Sequence, residues 1–340
     1  MSICTRLSLC SALVLAMVSL TAAQQYSVTD LGAFPGGNVS QSQAINVVGQ
    51  VAGYARFANF NAHGFFWTQK SGLVDLGSIP PKTNFSVAQG INSLGDIVGY
   101  SDYNTRTQYA HAVLWSHGDG KFGDLGTLPG GSQSQANAIN DLGEITGFSN
   151  GTGIGVHAVL WTKTGGIQDL GSLPGGYSTG IAINIQGEVV GYSLAQDDSS
   201  HGVVWNKAIG MQPLPRLMAS DYDGSANGIN NLGQIVGGSG NLAVLWQNNK
   251  QHTVQSLGTL TENWSSAFSI NDLGQVVGWS GGAAFIWTQQ SGMLDLNTLI
   301  PSNSGWHLVI ATSINAGGQI VGQGNINGTQ HGFLLTPVSK

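Results

Sequence analysis

The sequence predicts an all-β protein: a seven-bladed β-propeller with four antiparallel strands in each blade. Three observations lead to this fold. A phrase of the form Ile-Asn-x-x-Gly occurs seven times, each unit carries signals for four short strands, and the two chain ends hold complementary parts of one unit. Repeats of about 40–50 residues with four strands are typical of propeller blades, because each unit buries its apolar face only against its neighbours.

The repeated phrase centres on an asparagine. The steps between successive copies are 46, 48, 44, 46, 41 and 44 residues, and the copies are Asn46, Asn92, Asn140, Asn184, Asn230, Asn271 and Asn315. Asn at the first position of a turn can accept from the N–H two residues on, and Gly at the fourth position suits a positive φ. We therefore expect each copy to form a tight turn between two strands.

The third unit shows the four strands clearly. We expect strands over 136–140 and 144–148 on either side of the asparagine turn, then over 157–161 and 167–170 on either side of a Gly-Gly turn. Short strands with Gly-rich turns between them are typical of all-β domains. In six units a tryptophan closes the third strand, and the seventh unit has Leu335 there; the six are Trp67, Trp115, Trp161, Trp205, Trp246 and Trp287.

The chain ends predict how the ring closes. The last unit stops after its third strand, at 331–336, while 26–32 matches the fourth strand of the third unit, at 167–171. We expect the N-terminal strand to complete the seventh blade and so remove an exposed sheet edge. The strand before each Asn is then the innermost strand, where only small residues fit. The residue located two positions before each Asn is indeed small: Ala44, Gly90, Ala138, Ala182, Gly228, Ser269 and Ser313.

The N-terminal segment predicts export. Residues 1–23 carry one positive residue, a short apolar stretch and small residues at a cleavage point, which is typical of a secretory signal peptide. Residues 24–340 then form a single repeat domain, and both cysteines, Cys4 and Cys10, fall outside it. We expect a secreted or extracellular protein, with the periplasm or cell surface as alternatives, and no membrane span after cleavage.

The amino-acid composition limits which classes of partner the protein is expected to bind. Only 8% of the residues are charged and the formal net charge is −6, with no basic stripe along the chain. Nucleic-acid binding depends on clustered Lys and Arg, so we expect no nucleic-acid partner. The regular Val, Ile, Leu and Trp positions favour a folded domain over a disordered one.

The units resemble the HAF-repeat family of probable extracellular bacterial proteins. The resemblance rests on His-Ala/Gly-Val/Phe-Leu/Phe-Trp at 63–67, 111–115 and 157–161, on the Asp-Leu-Gly-x-Leu-Pro-Gly-Gly runs at 124–131 and 169–176, and on the Ile-Asn-x-x-Gly core. It covers nearly the whole of 24–340 and implies an extracellular repeat protein. It implies no activity and no site residues.

The repeated His and Asp residues have two interpretations. The repeated histidines are His63, His111, His157, His201 and His331, and they could form a ring of metal ligands. They lie on the third strands, however, away from the axis. We therefore expect each His to bond a backbone group or an adjacent Asp. We expect the aspartates to cap turns rather than to form a catalytic pair; they are Asp30, Asp75, Asp124, Asp169 and Asp295. Residues 221–224 resemble only part of a calcium loop. We therefore expect no metal and no cofactor.

Aromatic residues predict a ligand site where the chain enters the inner strands. Five units carry one there, seven to nine residues before the repeat Asn: Phe85, Tyr177, Tyr222, Trp264 and Trp306. Loops on the same face add Phe57, Phe60, Tyr103 and Tyr109. Aromatic rings at a channel mouth can stack on sugar rings or hold a peptide. The alternative is that these rings fill the gaps between blades.

Two classes of function remain open. The first is a non-catalytic binding or interaction module whose ligand, an extracellular glycan or protein, lies at the channel mouth. The second is a carbohydrate-active enzyme, a glycoside hydrolase or lyase on a propeller scaffold. Two carboxylates facing each other in a central pocket would favour the enzyme. The fold alone does not decide between them.

Overall fold

The computed structural model describes residues 25–79, 85–102, 109–117, 122–261 and 264–338. In these residues 28 strands form seven four-stranded antiparallel sheets. This confirms the seven-bladed propeller that the repeat predicts. The predicted signal peptide, with Cys4 and Cys10, and Tyr103 lie outside the described residues. No helix in the described ranges is long and apolar enough to cross a membrane.

Each of the first six blades takes four consecutive strands, ordered from the axis outwards. Blade 1 comprises β2 (Ser40–Ile45), β3 (Val51–Arg56), β4 (Ala62–Thr68) and β5 (Gly72–Asp75). Blade 2 comprises β6 (Ser86–Ile91), β7 (Ile97–Asp102), β8 (Ala110–Trp115) and β9 (Phe122–Gly126). Blade 3 comprises β10 (Ser134–Ile139), β11 (Ile145–Gly151), β12 (Ile154–Thr162) and β13 (Gly166–Asp169).

The next three blades repeat this order. Blade 4 comprises β14 (Ser178–Ile183), β15 (Val189–Leu194), β16 (Ser200–Asn206) and β17 (Gly210–Pro213). Blade 5 comprises β18 (Gly224–Ile229), β19 (Ile235–Ser239), β20 (Leu242–Trp246) and β21 (Val254–Gly258). Blade 6 comprises β22 (Ser265–Ile270), β23 (Val276–Ser280), β24 (Ala283–Thr288) and β25 (Gly292–Asp295), followed by a short 3-10 helix, Leu296–Thr298.

Blade 7 joins the two ends of the chain. It comprises β26 (Trp306–Ile314), β27 (Ile320–Ile326), β28 (Thr329–Pro337) and, outermost, β1 (Tyr26–Asp30). Strand β1 runs antiparallel to β28, with Tyr26 opposite Pro337 and Asp30 opposite Phe333. The N-terminal strand therefore completes the last blade, as the complementary chain ends predict.

Small residues let the inner strands approach one another. Each inner strand contacts the next one round the ring, and β26 contacts β2. A Cβ atom on Gly90 would lie 3.1 Å from Ala138 Cα, and one on Gly228 would lie 2.9 Å from the Phe268 carbonyl oxygen. Larger side chains at these two positions would push neighbouring strands apart. This agrees with the run of small residues at that point of each repeat.

A β-bulge in each inner strand turns one side chain toward the axis. The register shifts three residues before the repeat Asn, so that one residue has no partner on the second strand; in the first six blades these are Gln43, Gln89, Asn137, Ile181, Asn227 and Phe268. Blade 7 has two shifts, and Thr312 lies at the equivalent one. Bulges commonly re-aim a side chain in this way.

The hydrophobic core lies between blades. One buried cluster joins Val190 and Val204 of blade 4 to Ile235 and Trp246 of blade 5. The repeated tryptophans bury their rings there, and the indole N–H of Trp246 donates to the Pro215 carbonyl at 2.7 Å. Trp115 and Trp161 donate in the same way to the carbonyls of Leu76 and Leu125 in the blade before them. These three tryptophans thus bond to the preceding blade as well as filling their own.

Candidate ligand-binding channel

The repeated asparagines form a closed ring of hydrogen bonds at one end of the channel. The side-chain amide of each Asn donates to the backbone carbonyl of the Asn in the next blade, over 2.9 to 3.4 Å. The ring closes where Asn315 donates to Asn46 at 3.0 Å. All seven asparagines are buried. One residue per repeat therefore ties every blade to its neighbour.

The same side chain also builds the turn, as Asn140 illustrates. Its oxygen accepts from the N–H groups of Leu142 and Glu144, both at 3.0 Å, and its amide donates to the Glu144 carboxylate at 2.7 Å as well as to the next blade. The fourth-position glycine of the turn, Gly143, has φ 77°. The predicted turn is confirmed, and the bond to the next blade is the part that sequence reasoning missed.

A central cavity of about 420 Å³ lies farther along the channel, toward the end where the inner strands begin. Its two sides differ in character. We call the side formed by blades 1 to 3 the polar wall; its residues are Gln41, Gln43, Gln89 and Asn137. We call the side formed by blades 4 to 7 the apolar wall; Ile181, Phe268 and Ile310 lie there beside Asn227 and Thr312, which both donate to backbone carbonyls. The bulges aim most of these side chains inward, so the cavity is a direct product of the inner-strand geometry.

Most polar residues of the cavity lining have protein partners. The Asn137 amide donates to the Gly180 carbonyl at 2.7 Å, and the Asn227 amide donates to the Ala267 carbonyl at 2.9 Å. Gln41 accepts from the Tyr54 hydroxyl at 2.7 Å. Within the described residues, the carboxamides of Gln43 and Gln89 make no hydrogen bond, and both are only half-buried. Their donors and acceptors are therefore available to a ligand.

Aromatic rings surround the cavity one strand farther out. We call them the aromatic collar; they stand at the same place in the second strands of five blades and are Tyr54, Tyr100, Phe148, Tyr192 and Trp279. In blades 1 and 3 they lie opposite Gln41 and Gln135 of the inner strand. Residues opposite each other across two strands lie on the same face of a sheet, so the collar borders the start of the inner strands. The recurring Gly-aromatic pair was the signal for this set.

Three of the five predicted ligand-binding aromatics pack against other rings. Phe85 lies 5.9 Å from the collar residue Tyr100, and Tyr177 stacks on Tyr192 with ring centroids 5.8 Å apart. Burial, together with the hydroxyl of Tyr177, raises the pKa of Tyr192 to about 12. Trp306 meets Phe333 of its own blade edge-on at 6.0 Å.

The other two predicted aromatics are exposed. Tyr222 and Trp264 have 56% and 58% of their surfaces accessible and stand just before the inner strands of blades 5 and 6. The hydroxyl of Tyr222 donates to the Asp197 carbonyl at 3.0 Å. Of the loop aromatics, Phe57 stacks on Phe34 at 4.5 Å, whereas Phe60 and Tyr109 are exposed. Among the five predicted ligand-binding aromatics, Tyr222 and Trp264 are thus the two from which a ligand would displace water.

Repeated His–Asp pairs hold the third and fourth strands together. Nδ1 of His63 lies 2.9 Å from Asp75, and equivalent contacts of 2.9 to 3.0 Å recur in three other blades; they join His111 to Asp124, His157 to Asp169 and His331 to Asp30. Burial alone would raise the pKa of Asp75, but hydrogen bonds from His63 and from the Gly77 N–H lower it below its usual value. We predicted that each His bonds a backbone group or an adjacent Asp, and in these four blades it bonds the Asp; the prediction that the Asp caps a turn is confirmed there too.

Blade 4 departs from this pattern. It has Pro213 opposite Val203 where five other blades have Asp, and His201 instead lies 2.8 Å from the guanidinium of Arg216. Burial, and then the nearby Arg216 charge, lowers the pKa of His201. The Arg216 guanidinium also donates to the Ser199 hydroxyl at 2.9 Å.

A cavity of about 650 Å³ lies on the opposite face, between blades 2 and 3. Leu94, Leu142 and Trp161 line it together with Asp141 and Lys163. Ser116 and Gly123 on its edge flank residues 118–121, which lie outside the described part of the chain. The central cavity, by contrast, draws its walls from all seven blades.

No protein-family model and no curated protein matches the sequence. Solved structures do match the fold. The β-propeller domain of the Trilobed protease from Pyrococcus furiosus has a TM-score of 0.56 and 9% identity over 93% of this chain and 95% of its own. YCF48 bound to D1 peptide has a TM-score of 0.54 and 12% identity over 94% and 98%.

A third match is the extracellular domain of BT4673 from B. thetaiotaomicron, with a TM-score of 0.55 and 9% identity. It covers 93% of this chain, which spans 40% of the length of that one. At these identities the three likenesses show the propeller fold alone.

Proposed function

We propose that the protein is an exported, non-catalytic binding module that holds an extracellular ligand at the channel mouth where the inner strands begin. The observation that carries this proposal is the central cavity, with two uncommitted carboxamides inside it and exposed aromatic rings on the same face of the propeller. A concave site with apolar walls and a few convergent polar groups is typical of ligand-binding sites. The predicted signal peptide and the HAF-repeat resemblance support an extracellular location.

The chemistry of the site favours binding over catalysis. Carboxamide, hydroxyl and apolar groups line the cavity, and such groups orient a ligand without transferring protons at neutral pH. The carboxylates nearest the ends of the outer strands already bond His residues and turn N–H groups. A glycoside hydrolase needs two carboxylates across the scissile bond, so these engaged groups support the binding module over the enzyme.

The fold is compatible with this role. YCF48, one of the propellers of similar structure, is bound to a peptide, and the matched domain of BT4673 is extracellular. For the present chain we propose a division of labour among the five aromatics. Tyr222 and Trp264 contact the ligand, while Phe85, Tyr177 and Trp306 hold the rim in shape.

Alanine variants at the rim test the proposal once an array of glycans and peptides has supplied a binder. Trp264→Ala and Tyr222→Ala should each weaken binding severalfold, because a stacked ring contributes about 0.5–1.5 kcal/mol beyond area burial. Their melting temperatures should barely change, since both rings are exposed.

Trp306→Ala provides the control. It should lower the melting temperature, because the ring packs on Phe333, and should affect affinity less. The proposal fails if Trp264→Ala and Tyr222→Ala destabilise the fold and leave affinity unchanged.

A further inference from the structure

We infer that the central cavity receives the uncharged, polyhydroxylated end of a glycan, held by Gln43 and Gln89 against the apolar wall. This inference rests on the proposed function and specifies its ligand. Three properties of the cavity lead to it: the direction of entry, the uncharged lining, and the separation of polar and apolar walls.

The ring of inner strands fixes the direction of entry. The seven inner strands surround the cavity, so a ligand reaches the polar wall along the channel axis. A polymer passing the rim can therefore insert an end or a branch but cannot lie across the cavity as in an open groove. The volume of about 420 Å³ is within the usual range of about 300–1,000 Å³ for small-ligand sites.

The lining excludes a charged end. None of the nine residues lining the cavity ionises near neutral pH. Burying a charge without a partner is strongly unfavourable. The free ends of a peptide are charged, with ordinary pKa values of about 3.5 and about 8. The terminal residue of a neutral oligosaccharide carries no such penalty, so the uncharged lining favours a glycan over a peptide.

The two walls match the two sides of a sugar ring. A carboxamide donates two hydrogen bonds and accepts others, which suits hydroxyl groups because each hydroxyl also donates and accepts. Gln43 and Gln89 present such groups from adjacent blades, and neither is bonded within the described residues. Phe268, Ile181 and Ile310 face the same space with apolar surface, against which the C–H face of a pyranose can pack.

The test compares end groups on an array and then changes the two glutamines. The purified protein is offered oligosaccharides ending in glucose, galactose, mannose or N-acetylglucosamine, matched ones ending in glucuronate or galacturonate, and peptides with free or blocked ends. We expect binding to neutral glycan ends. Calorimetry with the strongest of these should show that Gln43→Leu and Gln89→Leu each weaken binding at least tenfold, or about 1.4 kcal/mol.

Gln186→Leu is the matched control. Gln186 is exposed in the asparagine turn on the opposite face, where four other repeats carry Leu, so this variant should bind as the native protein does. The inference is overturned if the tightest binder ends in a uronate or is a peptide. It is also overturned if Gln43→Leu and Gln89→Leu leave the affinity for neutral glycans unchanged. In those cases sensitivity to Trp264→Ala would leave the proposed function standing. Binding to none of the probes would count against both.

Discussion

At the scale of single residues, the asparagine of the Ile-Asn-x-x-Gly motif does most to explain why this motif recurs in every blade. Its oxygen organises the turn within its own blade, and its amide reaches the next blade. The first role follows from the local sequence, because Asn bonds backbone groups two residues on. The second depends on which strands become neighbours, and only the assembled ring reveals that.

Removing one asparagine should be costly. Asn140→Ala leaves the N–H groups of Leu142 and Glu144 and the carbonyl of Asn184 without this partner in a buried setting. We expect a loss of about 1–3 kcal/mol in unfolding free energy, measured by urea denaturation. Leu142→Ala in the same turn is the control and should change it by less than about 0.5 kcal/mol, since that side chain is exposed. Equal effects of the two variants would contradict this role.

The His–Asp pairs make a small contribution that depends on pH. Because the pKa of Asp75 is lowered in the folded state, its stabilisation is complete above its unfolded pKa near 3.8 and is lost as pH falls through the folded value. Asp75→Asn should therefore cost less than about 1 kcal/mol at pH 7, since the carboxylate is 42% exposed, and nothing at the acid limit.

A double-mutant cycle with His63→Gln, run by urea denaturation at neutral and acid pH, measures this coupling. Coupling that is as large well below pH 3.8 as at neutral pH would be inconsistent with the pair.

At the scale of strands and loops, the order of the strands could be predicted from the sequence. Whether the aromatic rings before the inner strands point to solvent or pack on other rings could not. The tryptophan positions and the glycine turns predict four strands per unit, and the structure has them. Phe85, Tyr177 and Trp306 share an offset with Tyr222 and Trp264, yet the first three pack on other rings. Bulges and loop paths decide where such a ring points, and neither leaves a clear mark in one sequence.

The closing strand is the element on which the seventh blade depends. Deleting residues 24–32 removes β1 and two side chains that are almost completely buried, Tyr26 and Leu31. Each such side chain is worth about 1.5–3 kcal/mol, so we expect a clear fall in melting temperature. The exposed edge of β28 should also promote association, visible by size-exclusion chromatography. Thr29→Ala, an exposed change within β1, should do neither; an equally stable, monodisperse truncation would rule out this role.

At the scale of the whole molecule, seven similar units form one central cavity whose lining residues differ from blade to blade. The repeat count predicts the ring, but the cavity takes its character from the positions where the copies differ, such as Gln43, Gln89 and Phe268. Those positions look unremarkable in sequence, since each falls on a bulge that appears only when the inner strands converge. This explains why the channel mouth could be predicted from the sequence and its polar wall could not.

Ring closure is the claim on which the channel and its ligand depend, and a disulfide across β1 and β28 tests it most directly. Ser27 and Thr336 are paired across these strands, at a spacing of about 5.5 Å for a hydrogen-bonded pair, which suits a disulfide. In a chain with Cys4 and Cys10 changed to Ser, Ser27→Cys with Thr336→Cys should form a disulfide within the monomer under mild oxidation. Thr288, the equivalent position in blade 6, is the matched control, and Ser27→Cys with Thr288→Cys should not form one. Free thiols or only intermolecular dimers in the first variant, or an efficient disulfide in the second, would contradict closure by the N-terminal strand.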